Sequence, residues 1–270
     1  MSAPDAPPVT LETLRRMKAD GVPIAALTCY DASFAALLDA AGVDLLLVGD
    51  SLGMVVQGHA STLPVTLDDM VYHTRAVGRA RRRPLLMADL PFLSYATPER
   101  ALDAAGRLMA EGGAEVVKLE GGRAQAATIT RLAEQGVPVC AHLGLQPQSV
   151  HKLGGYRVQG REAAAAERLR EDAALLEAAG ADLLVLECVP RDLAAEITAR
   201  AAIPVIGIGA GPACDGQVLV LYDLLGLTPG RLPRFVQRFL TDGRDVPAAL
   251  AAFVAAVRER RFPAPEQSYG

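Results

Sequence analysis

AAGVDLLLVGD, at residues 40–50, shows the pattern that decides the fold. A glycine that would end a helix is followed two residues later by an acidic residue. A continuous apolar run comes next, which is typical of a strand covered on both faces. The pattern returns as EGGAEVVKLEG at 111–121 and as AAGADLLVLEC at 178–188. The three copies predict repeated helix–strand units, and each predicted strand ends in a carboxylate.

Apolar segments of strand length alternate with helical segments along the whole chain. The predicted strands are 24–30, 45–49, 85–89, 116–120, 137–142, 183–187, 204–209 and 217–222. The predicted helices include 98–111, 123–135, 162–179 and 191–201. Eight strands that alternate with helices favour the α/β class and a closed (β/α)8 barrel of the TIM type. A doubly wound open sheet is the alternative, but no GxGxxG motif opens a helix after the first strand.

The length of 270 residues suits a single barrel, since such barrels typically take ~250 residues. No change in composition divides the chain. We therefore predict a flexible N-terminal segment at 1–9 and one catalytic barrel domain at 10–270, which ends in a helical segment.

Composition argues against several classes of partner. The chain has a formal net charge of −4, no tryptophan and no basic block, so we expect no binding to nucleic acid. No signal peptide and no apolar stretch of membrane-spanning length is recognisable, so we expect a cytoplasmic protein without membrane contact. The four cysteines lack CxxC spacing and are expected to be buried thiols in a reducing compartment.

Polar side chains stand at the ends of the predicted strands. In chain order they are Asp50, Ser51, Asp89, Lys118, Glu120, His142 and Glu187. The carboxyl ends of all strands of such a barrel converge on one face, where active sites lie. A single carboxylate there could be a salt-bridge partner or a helix cap, but four would repel one another unless they were protonated or shared a cation. Oxygen ligands in an acidic pocket suit Mg²⁺, so the sequence predicts a magnesium site.

Several of these residues leave alternatives open. Lys118 could form a Schiff base with a carbonyl substrate, or it could bind an anionic carboxylate as a cation. His142 could be a hydrogen-bonded core residue or a substrate contact. The other three histidines, His59, His73 and His151, are expected to be hydrogen-bonding or surface residues.

Two further motifs also have a structural explanation. Ser51 and Thr66 could cap the helices that follow them, and for Thr66 capping is the better explanation. The glycine-rich stretch GIGAG at 207–211 could bind phosphate, or it could reflect tight packing at a strand end.

Seven stretches, in order along the chain, resemble the ketopantoate hydroxymethyltransferase family. They are VGDSLGMVVQGHASTLPVT (48–66), MADLPFLSYATPE (87–99), VKLEGG (117–122), VCAHLGLQPQSV (139–150), GGYRVQGR (154–161), LVLECVP (184–190) and PVIGIGAG with DGQVLV (204–220). The resemblance covers roughly residues 10–270. Its departures are local: Pro212 and Cys214 lie in a loop, and Tyr222-Asp223 stands where the family often has His-Asp.

The resemblance implies an enzyme that makes ketopantoate for pantothenate and coenzyme A synthesis, on a barrel that assembles as a homo-oligomer, often a decamer. The co-substrate would be 5,10-methylenetetrahydrofolate, which supplies a hydroxymethyl group to 3-methyl-2-oxobutanoate. By position, the ligands of one Mg²⁺ per subunit would be Asp50, Asp89 and Glu120. The substrate-binding residues would be Asp50, Ser51, Asp89 and Lys118, with His142 as a further candidate. Glu187 matches the catalytic proton acceptor.

General chemistry is consistent with these roles. The metal would stabilise the enolate that forms when a base removes the proton at C3 of the keto acid. Lys118 and Ser51 would hold the substrate carboxylate and orient C3 toward Glu187. The residues leave two other functions open. One is another Mg²⁺-dependent 2-oxo acid enolate enzyme, a lyase or mutase on a related barrel. The other is a barrel that serves binding or assembly without catalysis. The presence of all five ionisable residues, Asp50, Asp89, Lys118, Glu120 and Glu187, argues against this second alternative.

Overall fold

Within residues 7–241 and 243–270, which a computed structural model describes, eight parallel strands close into a barrel in chain order. The strands are β1 (Ile24–Thr28), β2 (Leu45–Val48), β3 (Leu85–Asp89), β4 (Val116–Glu120), β5 (Val139–Gly144), β6 (Leu183–Glu187), β7 (Val205–Ile208) and β8 (Gly216–Leu219). The last strand pairs with the first, so no sheet edge is left open. The predicted (β/α)8 barrel is confirmed.

Helices connect the strands and cover the outside of the barrel. They are α1 (Leu11–Ala19), α2 (Ala32–Ala40), α3 (Leu52–Val55), α4 (Leu67–Ala80), α5 (Pro98–Ala110), α6 (Ala126–Glu134), α7 (Val150–Leu153), α8 (Ala163–Ala178), α9 (Arg191–Arg200), α10 (Leu221–Leu224) and α11 (Val246–Arg258). Among the described residues, no helix has the length and apolar character needed to cross a membrane.

Local sequence explains where the longer helices begin. Thr66 accepts a hydrogen bond from Asp69 N, and the Asp69 carboxylate accepts one from Thr66 N, which forms a capping box at the start of α4. The predicted capping role of Thr66 is therefore confirmed. Thr97 caps α5 in the same position, and Pro98 occupies its first turn, where the missing N–H has no partner to lose.

Alternate residues of each strand point into the barrel, and this alternation places the site. Leu85 and Met87 of β3 belong to the buried interior cluster, and the next residue of the same face is Asp89. In β6, Leu183 and Val185 precede Glu187 in the same way. Because side chains alternate with period two, the apolar interior ends in ionisable side chains at the carboxyl end of these strands.

The opposite end of the barrel is closed by apolar side chains and an ion-pair network. Leu14 of α1 and Val9 are buried with the interior cluster, and Val9 N donates a hydrogen bond to Arg83 O at 2.8 Å. Residues 1–6 of the N-terminal segment predicted at 1–9 lie outside the described residues.

Asp44 is the centre of this network, which we call the floor network (Asp44, Arg83 and Arg258). Its Oδ2 accepts hydrogen bonds from Ala25 N at 2.9 Å and from Arg258 Nη2 at 2.6 Å. Arg83 Nη1 lies 3.5 Å from the other carboxylate oxygen, Asp44 Oδ1. Arg258 also donates to Pro23 O, so the last long helix is tied to the amino ends of β1 and β2.

Two strand predictions are displaced. The fifth strand runs over Val139–Gly144 rather than 137–142, because Pro138 cannot donate to the ladder. The eighth strand is Gly216–Leu219 rather than 217–222, because the chain turns into α10 once Leu221 N donates a hydrogen bond to Thr28 Oγ1 at 2.9 Å.

Candidate active site

The strand register brings the predicted site residues side by side at one mouth of the barrel. Asp89 of β3 is paired with Lys118 of β4, and Glu120 of β4 is paired with His142 of β5. On the next strand pair, Glu187 lies opposite Gly144, which is in the left-handed region at φ +92°. A Cβ at Gly144 would lie 2.2 Å from Glu187 O, so only glycine fits there.

Asp89 and Lys118 form a buried ion pair. Lys118 Nζ lies 2.6 Å from Asp89 Oδ1, and both side chains are almost fully buried. Burial by itself would lower the pKa of Lys118, but the charges of Asp89, Glu120 and Asp50 outweigh burial and raise the pKa above its usual value. Lys118 is therefore an ammonium ion at neutral pH.

Asp50 follows β2 and is held against the same pair. Its backbone N donates to Asp89 Oδ2 at 3.1 Å, and its side chain is buried. Burial, and next the charge of Asp89, raises the pKa of Asp50 to about 7, although Lys118 acts in the opposite direction. Burial also raises the pKa of Glu120 well above its usual range, with added repulsion from Asp50 and Asp89. The cluster holds more carboxyl groups than its single lysine can balance.

Ser51 does not cap α3, at whose start it lies. Its hydroxyl instead lies 2.8 Å from the Tyr30 hydroxyl, and Tyr30 is buried. A Cβ at Gly49 would stand 2.9 Å from Ser51 Oγ and 3.4 Å from Asp89 Oδ2, so this glycine keeps room for both side chains. Ser51 is thus held at the mouth beside Asp89.

His142 lies between two carboxyl groups. Its Nε2 is 3.3 Å from Glu187 Oε2 and its Nδ1 is 3.6 Å from Glu120 Oε1. Neither ring nitrogen has hydrogen-bond geometry to any partner among the described residues. Burial, reinforced by the charge of Lys118, lowers the pKa of His142 well below its usual value, so the ring is neutral.

Glu187 is the most accessible carboxyl group of the cluster. Its side chain is 15% exposed, against 5% for Asp89 and 3% for Glu120. Burial raises the pKa of Glu187 to about 8, with Lys118 lowering it and Asp89 raising it further. A carboxyl group with this pKa is able to exchange a proton near neutral pH.

Gln148 and Tyr95 belong to the site although the sequence did not identify them. The buried Gln148 side chain donates to Asp50 Oδ2 at 2.8 Å, and its backbone N donates to Glu120 Oε2 at 3.0 Å. The Tyr95 hydroxyl donates to Gln148 Oε1 at 2.5 Å. Gln148 lies in a short turn over Pro147–Ser149, where no strand periodicity directs its side chain toward the site.

The predicted metal ligands are close together but do not form a finished cage. Across residues 7–241 and 243–270, no three His, Cys, Asp or Glu side chains are arranged to hold a metal ion. One oxygen of Asp50 and one of Glu120 are already engaged by protein donors, and both oxygens of Asp89 are engaged by Lys118 and the backbone N of Asp50. The ligand set Asp50, Asp89 and Glu120 stays a prediction.

The remaining histidines lie elsewhere. His59 is exposed in a loop, and His151 is exposed on α7. His73 of α4 lies with Nδ1 2.7 Å from Tyr30 O. These placements agree with the predicted surface and hydrogen-bonding roles.

Neighbouring side chains occupy the space beside the glycines of the GIGAG stretch. A Cβ at Gly207 would lie 2.8 Å from Cys214 Sγ, and one at Gly211 would lie 2.6 Å from Arg191 Cβ. Gly209, at φ +62°, packs against Phe235. Tight packing therefore explains the glycines of this stretch.

A closed parallel barrel with ionisable side chains gathered at the carboxyl ends of its strands defines the chain as a (β/α)8-barrel enzyme. A sequence profile described as ketopantoate hydroxymethyltransferase matches residues 8–265. The chain is 62% identical over 261 residues to the 3-methyl-2-oxobutanoate hydroxymethyltransferase of Halorhodospira halophila, covering 97% of this chain and 94% of the relative. It is 61% identical over 263 residues to that of Alkalilimnicola ehrlichii, covering 97% and 95%. The chain belongs to the ketopantoate hydroxymethyltransferase family and is a transferase.

Solved structures with a similar fold are distant in sequence. A putative phosphonomutase from Burkholderia cenocepacia superposes with a TM-score of 0.63 at 18% identity, over 80% of this chain and 94% of that one. A phosphonopyruvate hydrolase, solved as a complex with oxalate and Mg²⁺, has a TM-score of 0.59 at 13% identity, over 78% and 80%. These likenesses show the shared barrel.

Proposed function

We propose that this enzyme transfers a hydroxymethyl group from 5,10-methylenetetrahydrofolate to 3-methyl-2-oxobutanoate and yields 2-dehydropantoate for pantothenate and coenzyme A synthesis. The acceptor comes from the name shared by relatives that are 57–62% identical over nearly the full length of the chain. The observation that carries the proposal is that a buried lysine, ion-paired with Asp89, and the more exposed carboxyl group of Glu187 lie at the same mouth of the barrel.

Lys118 and Ser51 would hold the carboxylate of the keto acid. Lys118 is positively charged and so suits an anionic group, whereas a Schiff base requires a neutral amine. The Ser51 hydroxyl lies 2.8 Å from the Tyr30 hydroxyl, and when Tyr30 donates in this contact the single proton of Ser51 is free for the substrate carboxylate. With its carboxylate held by Lys118 and Ser51, the keto acid would have a single orientation in the mouth of the barrel.

Glu187 would act as the base that removes the proton from C3. It is the carboxyl group of the cluster with the greatest exposure, and the pKa of about 8 places its two protonation states within reach of neutral pH. The neutral ring of His142 lies 3.3 Å from Glu187 Oε2, which adds no positive charge that would weaken the base. His142 would then contact the substrate or orient Glu187.

One Mg²⁺ per subunit fits the donor set of the site. The carboxyl groups of Asp50, Asp89 and Glu120 outnumber the single lysine that pairs with Asp89, and their oxygens are hard donors. Mg²⁺ is commonly held by one or two carboxylates with water and substrate oxygens completing its shell. When bound, the ion would supply Lewis-acid stabilisation of negative charge on the 2-oxo oxygen.

A Mg²⁺-dependent lyase or mutase of another 2-oxo acid is the second candidate. Two neighbours in fold are named for such reactions: the putative phosphonomutase described above and a 2,3-dimethylmalate lyase at 19% identity and a TM-score of 0.57. The much higher identity to hydroxymethyltransferases favours the transferase. Turnover that depends on the folate would separate the two reactions.

The test is exchange of the C3 proton of 3-methyl-2-oxobutanoate in D₂O, followed by NMR with and without Mg²⁺. We expect exchange that requires both the enzyme and the ion, before any folate is added. After chelation, Mg²⁺ should restore exchange, and Mn²⁺ or Co²⁺ should replace it. Full exchange after exhaustive chelation, with no metal found by elemental analysis, would contradict the proposed metal.

Two matched variants assign the base. Glu187→Gln keeps the shape of the side chain, so it should bind the ion and the keto acid nearly as before and lose C3 exchange by about 10²–10⁴-fold. Asp50→Asn should lose metal affinity and exchange together. Exchange at the parent rate in Glu187→Gln would exclude Glu187 as the base, and His142 would become the next candidate.

A further inference from the structure

We propose that Gln148 is a positioning residue that fixes the relative placement of the carboxylates of Asp50 and Glu120, and thereby the affinity of the mouth for a divalent cation. The inference rests on the proposed function, because it concerns the ion that the reaction would use.

The side-chain amide of Gln148 joins the chain segments that follow two different strands. Its Nε2 donates to Asp50 Oδ2 at 2.8 Å and to Leu90 O at 2.9 Å, which uses both of its protons. Asp50 follows β2, and Leu90 follows β3. The residue is only 6% exposed, so these bonds are formed away from water.

The backbone of Gln148 reaches a third strand. Its N–H donates to Glu120 Oε2 at 3.0 Å, at the end of β4. Gln148 lies in a 3₁₀ turn over Pro147–Ser149, and the preceding proline has no N–H of its own. The N–H of Gln148 is therefore the first donor of this turn, and it remains available for the carboxylate.

Tyr95 fixes the orientation of the amide. Its hydroxyl donates to Gln148 Oε1 at 2.5 Å. Because Leu90 O can only accept a hydrogen bond, the nitrogen of the amide must face it, and the oxygen must face Tyr95. The two contacts together exclude the flipped amide, so Asp50 always receives a donor.

These bonds determine which carboxylate oxygens remain for a cation. Gln148 engages Oδ2 of Asp50 and Oε2 of Glu120. Among the described residues, no hydrogen bond engages Asp50 Oδ1 or Glu120 Oε1. Donors that hold one oxygen of a ligating carboxylate orient the other, and their loss typically lowers metal affinity by about 10–100-fold.

The experiment measures Mg²⁺ and Mn²⁺ binding by calorimetry on the full chain, with no substrate present. Gln148→Met keeps length and volume but removes the amide, while the backbone N–H to Glu120 is retained. We expect a dissociation constant for Mn²⁺ raised by about 10–100-fold and turnover that recovers as Mg²⁺ is increased. Tyr95→Phe leaves the amide in place and should raise the constant by a smaller factor. Gln135→Met, on an exposed glutamine at the end of α6, is the matched control and should bind as the parent does.

The outcomes distinguish failure of the positioning role from failure of the proposed function. If folded Gln148→Met binds Mn²⁺ with the parent's constant, the positioning role is wrong while the proposed function stands. If the parent itself binds neither ion, the metal of the proposed function fails and the inference fails with it. If Gln148→Met does not fold, Gln148→Asn, whose amide is one methylene short of Asp50, takes its place, and parent-like affinity in that variant would likewise overturn the role.

Discussion

Lys118 is a buried cation whose neighbours keep it charged. Its Nζ is 2.6 Å from Asp89 Oδ1, and the side chain is 6% exposed. A lysine in the interior usually loses its proton, because burial disfavours the charged form. The surrounding carboxylates reverse that effect here and raise the pKa of Lys118, which favours binding of an anion over nucleophilic attack at neutral pH.

Substitution of Lys118 should therefore weaken binding rather than abolish covalent chemistry. We expect borohydride with the keto acid to leave the parent enzyme active and without added mass. Lys118→Ala should raise the dissociation constant of the keto acid, and Lys118→Arg should recover only part of the loss, because the guanidinium is larger and planar. Mass spectrometry and calorimetry measure the two effects. A reduced adduct on Lys118 would show the Schiff-base mechanism instead.

Individual elements differ in how far the sequence predicts them. The second and sixth strands were predicted well, because Leu45–Val48 and Leu183–Glu187 are apolar runs bounded by glycine or acidic residues. The end of the fifth strand was not, because Leu143 and Gly144 continue a ladder that depends on the position of β6. The start of α10 likewise depends on Thr28, which is distant in sequence.

The site was predictable where strand periodicity carries it. Asp89, Lys118, Glu120 and Glu187 follow from the alternation of their strands, which fixes the direction of each side chain. Gln148, Tyr95 and Tyr30 were missed, because each reaches the mouth from a loop or from behind it. Their roles depend on tertiary contacts that no local pattern records.

The last helix should contribute to stability through the floor network. Arg258→Ala removes the 2.6 Å contact to the buried Asp44 but leaves Arg83 and Ala25 N in place. We expect a loss of about 2–3 kcal/mol in the free energy of unfolding, because the buried Asp44 carboxylate would keep only part of the positive charge and hydrogen bonding that offset its burial. Urea unfolding measures it. The matched control is Arg261→Ala, which removes only an exposed pair with Glu259 and should change stability by less than about 0.5 kcal/mol. Equal effects of the two variants would contradict this role for α11.

The raised pKa of Glu187 makes the stability of the folded protein depend on pH. The pKa of Glu187 is raised to about 8 by burial, whereas an unfolded glutamate ionises near its usual value of about 4.3. Between these values the folded chain binds one proton more than the unfolded chain. Stability supplied by this group is therefore present at low pH and is lost as the pH rises toward 8.

The metal-free protein should show this effect against its own variant. One proton difference corresponds to about 1.4 kcal/mol per pH unit, so the stability of the parent relative to Glu187→Gln should fall by about 4 kcal/mol between pH 5 and pH 8. Urea unfolding in the presence of a chelator, at three pH values, gives the comparison. Parallel pH profiles for the two proteins would contradict the raised pKa of Glu187.

Large apolar side chains remain exposed on the single chain. Tyr72 of α4 is 68% exposed and Leu93, in the loop after β3, is 52% exposed. Together with a mean hydropathy of +0.22, this favours burial between copies of the chain. We propose a homo-oligomer, a decamer by the family resemblance, and expect light scattering to give about ten times the 28.3 kDa of one chain. A monomer at micromolar concentration would contradict this.

The four thiols of the protein have a practical consequence for labelling experiments. Cys29, Cys140, Cys188 and Cys214 are all buried. Burial raises the pKa of Cys29, Cys140 and Cys214 to about 12, and it raises that of Cys188 as well. With a pKa of about 12, the thiolate fraction of such a cysteine at pH 7 is only about 10⁻⁵. Alkylating probes should therefore not react with the cysteines of the folded chain. A cysteine that replaces the exposed Tyr156 would then be the one reactive thiol. A fluorophore attached there would report movement of the loop beside the mouth, and none of the four native cysteines would have to be replaced.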